Sequence, residues 1–169
     1  MQLHISAAGL AALQRGFKEV PVYTRQQLLA GMVEATMLYE REVKEAFPSV
    51  SGLTRAGIFS DAFSTPAGAL GVVGSNSIAA AAVELGTKPH MPPVEPLEAW
   101  VVDKLGLAGK EARRVAFAIA MKIAKKGTKP QYPFRNTWKL QRLPIVAIFE
   151  RAAGRIAARL AQDAGKGAA

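Results

Sequence analysis

Between Thr24 and Phe47 the apolar positions recur every three or four residues: Leu28, Leu29, Met32, Val33, Thr36, Tyr39, Val43 and Phe47. Glu34, Arg41, Glu42, Lys44 and Glu45 fill the gaps. That spacing lines one face of an α-helix and predicts the longest helix of the chain, capped by Thr24 and stopped before Pro48. Ahead of it, Gln2-Leu3-His4-Ile5-Ser6 alternates polar and apolar, the period of a short strand. Leu10, Leu13 and Phe17 then mark a brief helical face that Pro21 is expected to end.

Residues 48–57 are rich in Pro, Ser and Gly and read as a loop. The runs Ile58–Ser64 and Ala69–Ser75 flank Thr65-Pro66-Ala67-Gly68, the pattern of a β-hairpin. Gly71 and Gly74 interrupt the second run and permit close backbone approach. The Ala-rich stretch Ser77–Leu85 predicts one or two helical turns. Val94–Leu105 reads as a helix with Leu97, Val101 and Leu105 on one face, stopped by Gly106. Lys110–Lys126 follows as an amphipathic helix, with Arg114, Lys122, Lys125 and Lys126 on one arc. Ala116, Phe117, Ile119, Ala120, Ile123 and Ala124 are assigned to the other. Last, Ile145–Gln162 turns Ile145, Ile148, Phe149, Ala152, Ile156 and Leu160 inward, and Arg151, Arg155 and Arg159 line up outside at four-residue intervals. The expected fold is α+β: a long N-terminal helix and several C-terminal helices packed on a small antiparallel sheet or hairpin. It forms one domain over residues 1–164 with a flexible tail at 165–169.

Punctuating this pattern, Gly-Thr-Lys-Pro occurs twice, as Gly86-Thr87-Lys88-Pro89 after Glu84 and as Gly127-Thr128-Lys129-Pro130. Each copy closes an apolar segment and opens a loop. Gly frees the backbone to take positive φ, and Pro fixes φ and disfavours a helix before it, so each copy reads as a rigid corner able to present a surface to a partner. Beside the second corner stand Tyr132, Phe134 and Trp138, with Arg135 among them. Aromatic residues next to an arginine anchor interfaces, and equally they fold back over a core.

Charge adds an asymmetry. The net charge is +9, but residues 1–85 hold 6 Lys/Arg against 7 Asp/Glu, and residues 86–169 hold 16 against 6. A basic half suits an acidic partner, whether nucleic acid, a phosphorylated surface or an acidic protein, and it is also the ordinary solvated surface of a soluble helix. With no cysteine and only His4 and His90, far apart in sequence, no metal site and no nucleophilic or acid–base set can be assembled, so neither cofactor nor enzymatic activity is expected. Gly71-Val72-Val73-Gly74 lacks the spacing and the Lys-Ser/Thr of a phosphate-binding loop. Glu84 stands alone as a carboxylate in an apolar run beside a corner, and is expected to cap a backbone group or to pair with a Lys or Arg. No segment is long and apolar enough to predict a membrane span, and no signal peptide is read at Met1-Gln2-Leu3-His4.

The order of these features resembles the small neck or tail-completion proteins of long-tailed bacteriophages, over roughly residues 1–140. The family pattern is a long helix and then Pro-x-x-x-Gly-Leu-x-Arg, here Pro48, Gly52, Leu53 and Arg55. A hairpin comes next, followed by a Glu-x-Gly-Thr-x-Pro corner, here Glu84, Gly86, Thr87 and Pro89, and later Gly-Thr-x-Pro-x-x-x-Phe-Arg, here Gly127, Thr128, Pro130, Phe134 and Arg135. It departs from that pattern at Val50-Ser51, where family members often carry Asp-Thr, and in its longer Arg-striped C-terminal helix. The resemblance implies a structural virion subunit at the head–tail junction, made in the bacterial host cytoplasm. Such a subunit acts through protein–protein contacts in several copies as a homo-oligomeric ring. Its partners are other phage neck and tail proteins, with scope for non-specific contact with DNA. The residues expected at its interfaces are Glu84, both corners, Tyr132, Phe134, Arg135 and the stripe Arg151, Arg155 and Arg159. The alternative expectation is a sequence-independent nucleic-acid-binding protein using the basic helix stripes.

Overall fold

The computed structural model describes residues 7–48, 52–66 and 68–166, and the side chains from Val22 to Asp163 within them save that of Leu53. The order is α1 (Ala7–Ala46), a single turn α2 (Leu53–Ala56), β1 (Ile58–Thr65), β2 (Gly68–Ser75), α3 (Ile78–Leu85), α4 (Val94–Leu105), α5 (Gly109–Lys126) and α6 (Pro133–Lys166). β1 and β2 form a two-stranded antiparallel sheet. This is the expected α+β fold. The strand expected at Gln2–Ser6 lies outside the described residues.

Two expected boundaries are corrected. Pro21 does not end a first helix: α1 runs through it for 40 residues, and Thr24, expected as a cap, sits inside. Proline withholds one donor and crowds one carbonyl, at a cost of about 3 kcal/mol, which a long helix with a buried face offsets elsewhere along its length. The last helix begins at Pro133, not Ile145, so Phe134, Arg135 and Trp138 belong to its first two turns. Proline suits the first helical position, where its missing N–H would have no partner and its φ is already helical. Pro144 lies inside α6, on an exposed stretch (Leu140 75% and Leu143 79% exposed) where solvent can take the freed carbonyl.

The chain divides into two compact units. The first comprises residues 1–39, 60–73 and 141–169, and so holds most of α1, most of the hairpin and most of α6. Its core is Ala35, Ile145 and Ile148, with Leu38, Tyr39 and Phe149 packed on them. Small residues set how closely the helices approach: a Cβ on Gly31 would stand 3.6 Å from the Phe149 ring and 3.7 Å from Ala152. The hairpin presses on α1 as tightly. A Cβ on Gly71 would fall 2.5 Å from Thr36 Cγ2 and 2.6 Å from Met32 Sδ, so the glycine that weakens the strand pattern is what lets β2 lie flush. Thr36 is buried, and its hydroxyl donates to the Val33 carbonyl at 3.0 Å.

The second unit comprises residues 40–59 and 74–140. Here α4 and α5 form a helical hairpin around Val101, Ala112 and Ala116, with Val94, Leu97, Trp100, Leu107, Val115 and Ile119 around them. Leu105, expected on that face, is half exposed, one turn past the last buried position. Phe47, which is buried, meets Phe134 edge to face at 5.7 Å between centroids.

Candidate functional site

The two Gly-Thr-Lys-Pro corners, 41 residues apart in sequence, bind each other. α3 ends at Gly86 (φ 73, ψ 179) and α5 ends at Gly127 (φ 68, ψ −164), nearly the same backbone conformation and one that is essentially reserved for glycine. Beyond these glycines the chains meet as an isolated antiparallel bridge between Thr87 and Thr128. Each threonine N–H donates to the other's carbonyl at 3.2 Å, and the two hydroxyls lie 3.1 Å apart. A Cβ on Gly127 would overlap the Thr87 carbonyl oxygen, and one on Gly86 would lie 2.5 Å from that of Thr128. The repeat therefore makes a clasp with local two-fold character, in which each glycine admits the partner's backbone.

The clasp positions Glu84. Two residues before Gly86, its carboxylate accepts the N–H of Phe134 at 2.8 Å through Oε2 and that of Arg135 at 3.2 Å through Oε1. These are free donors of the first turn of α6, whose own N-cap residue, Tyr132, has a side chain unable to accept them. A carboxylate at the positive end of a helix is favourable on both counts, hydrogen bonding and dipole. Of the two roles expected for Glu84, backbone capping is the one the structure shows. Nearby, the Gln131 N–H donates to the Val83 carbonyl at 2.9 Å. Tyr132 takes φ 56, the sole positive φ at a non-glycine among the described residues. Its carbonyl accepts the Asn136 N–H at 2.8 Å, and the Arg135 guanidinium lies over its ring at 4.2 Å.

The corners thus divide into halves. Gly86, Thr87, Gly127 and Thr128 are part-buried against each other, and Lys88, Pro89, Lys129 and Pro130 stay exposed. Of the aromatic cluster, Phe134 turns inward to Phe47 and Trp138 is 49% exposed.

The basic stripes also part company. On α6, Arg151 pairs with Glu34 at 2.7 Å and Arg155 Nε donates to the Gln27 side chain at 2.6 Å. Arg159 pairs with Asp163 at 2.9 Å and faces the Tyr23 ring at 5.9 Å. All three are engaged within the first unit. On α5, by contrast, Lys110, Arg113, Arg114, Lys122, Lys125 and Lys126 are exposed and make no ion pair among the described residues. Phe117 stands 52% exposed among them, contrary to its expected inward place. It follows Arg114 by three residues, which at 100° per residue sets it beside that cation. Lys110 joins this face on the same helical wheel, and Arg113 lies at its margin, next to the buried Ala120.

Among the described residues no group of three or more His, Asp or Glu side chains could hold a metal ion, and no helix is long and apolar enough to cross a membrane. No family model, no curated protein and no solved structure matches the chain.

Proposed function

We propose that this chain is a structural subunit of the head–tail junction of a long-tailed bacteriophage, working without catalysis through protein–protein contacts in a multi-copy ring. The observation that carries the reading is the outer side of the hairpin. Along the strands the burial alternates, and in the first unit it leaves Phe63 (48%), Leu70 (53%) and Val72 (40%) exposed, opposite the side on which Gly71 meets α1. Among the described residues the sheet has two strands, so no third strand covers the outer edges of β1 and β2, although the Ala62 N–H on the β1 edge donates to the Asp61 carboxylate at 2.8 Å. An eight-residue strand with an open edge and an apolar face is a template for pairing, and isolated folded proteins normally blunt such edges.

A second copy is the occupant this geometry favours. The edge of β1 in one subunit and the edge of β2 in the next can continue the sheet, which is a heterologous contact, and heterologous contacts close into rings when the rotation permits. The motif order set out above, from the long helix through the hairpin to both corners, supports the particular assembly.

The test is electron microscopy of lysates from the phage lacking this gene, complemented with the wild-type chain or with Phe63→Asp/Leu70→Asp. Without the chain, DNA-filled heads beside separate tails are expected, and the double variant should fail to restore joined particles. Intact infectious particles in the deletion would overturn the reading.

A further inference from the structure

The outer face of α5 is left unused by the fold and by the proposed ring contact. Along this 18-residue helix Ala112, Ala116 and Ala120 are fully buried, Lys110, Arg114, Lys122 and Lys125 lie on the opposite arc, and Arg113 and Lys126 flank it on either side. From Lys110 to Lys126 they extend over about 24 Å of helix. Two acids, Glu95 and Glu111, stand with them in the groove. Lys110, Arg113 and Arg114 line an open groove of about 940 Å³ together with Val94 and Phe117, and a smaller groove continues past Met121 to Lys125 and Lys126.

Holding six unpaired like charges together on a helix destabilises it modestly, so the arrangement calls for an anionic occupant. A second copy of the chain is poorly suited. Six of its thirteen carboxylates are already engaged: Glu34, Glu40, Glu42, Asp103 and Asp163 sit in ion pairs and Glu84 caps α6. A nucleic-acid strand fits better. Its phosphates supply one negative charge per nucleotide along a line, and its bases supply flat apolar faces. Phe117 offers the matching half-exposed ring beside the groove, and a single strand is the form whose bases are free to stack.

We infer that the outer face of α5 binds single-stranded nucleic acid, with Lys110, Arg114, Lys122 and Lys125 on phosphates and Phe117 against a base. The contacts are independent of sequence and act in the full chain whether or not the ring forms, so the inference stands or falls apart from the proposed assembly role.

Fluorescence anisotropy of the purified full-length chain with a labelled 20-nucleotide mixed-sequence DNA strand tests it. Binding at 50 mM salt is expected to weaken about 50-fold at 200 mM, the slope for four phosphates on a single strand. Lys110→Gln/Arg114→Gln/Lys122→Gln/Lys125→Gln should abolish most of that affinity. These exposed substitutions keep good helix formers, and an unchanged melting curve confirms the fold. Phe117→Ala should lower single-strand affinity about 5- to 150-fold, the range for one stacked base. Arg151→Gln/Arg155→Gln/Arg159→Gln should stay within twofold of wild type. Equal loss from this α6 variant, or none from the α5 variant, overturns the inference. So does equally tight binding of polyglutamate, which would make the occupant an acidic polypeptide, or duplex binding as tight as single-strand binding with Phe117→Ala silent on both.

Discussion

Two glycines of this chain share a sign of φ and differ in everything around them. Gly127 is pressed against the Thr87 carbonyl, and Gly106, at φ 65 after α4, has nothing within 4 Å of where a Cβ would stand. Gly106→Ala should therefore cost about 1 kcal/mol, the strain of a left-handed residue alone. Gly127→Ala adds a backbone overlap that only opening the clasp can relieve, and should cost more than about 3 kcal/mol. Chemical denaturation of both variants checks the difference. Glu84 acts across a similar distance in sequence. Glu84→Ala should lose about 1–2 kcal/mol, because two first-turn donors of α6 then lose their acceptor. Glu84→Gln, which keeps one acceptor oxygen and removes the charge, should lose roughly half of that in the same measurement.

At the scale of elements, α6 carries the plainest test. Pro144→Ala restores a donor and a better helix former at an exposed interior position, and should raise stability by about 1–3 kcal/mol in thermal melts. A fall instead would show that the proline fits a local geometry the helix needs. The same residue explains what was hard to read in the sequence. Prolines at 21, 133 and 144 all look like boundaries by local rule, yet α1 and α6 run past two of them and begin on the third. Burial elsewhere on those helices outweighs the local cost, and no window of a few residues registers that balance. Where local rules and packing agree, the reading held: the hairpin over residues 58–75, the short α3, and α4 with its stop at Gly106 emerged as expected. The corners were visible as a repeat and as glycine-dependent turns. Their pairing was not, because nothing in either tetrapeptide says what lies 41 residues away. Glu84 was legible as a capping or pairing carboxylate, while its partners, the first-turn amides of a helix expected to start later, were not.

For the molecule as a whole, the charge asymmetry along the sequence resolves into two differently employed surfaces. The stripe cations of α6 are engaged locally, Arg151 with Glu34 of α1 and Arg159 with Asp163 of α6 itself, in pairs whose exposure leaves each worth about 0–1 kcal/mol. Those of α5 face outward without partners. A net charge of +9 taken by itself assigns no surface, and the distribution does. It separates an apolar hairpin suited to contacts between copies from a cationic helix suited to a polyanion. Losing one property by mutation while retaining the other is thus feasible, and the α5 and hairpin variants described above are the pair that shows it.

The clasp also bears on the order in which its unit assembles. Thr87 and Thr128 enclose a loop of about forty residues, and drawing its ends together from a disordered chain costs roughly 3 kcal/mol in entropy before any contact returns it. The α4–α5 hairpin lies wholly inside that loop and needs only the short Gly106–Gly109 connection to form. Once it has folded back on itself, the two corners are already neighbours and most of the closure has been accomplished. Pairing of the threonines, and with it the capping of α6 by Glu84, is accordingly expected late. Slowing the α4–α5 turn would delay the start of a helix that does not begin until Pro133.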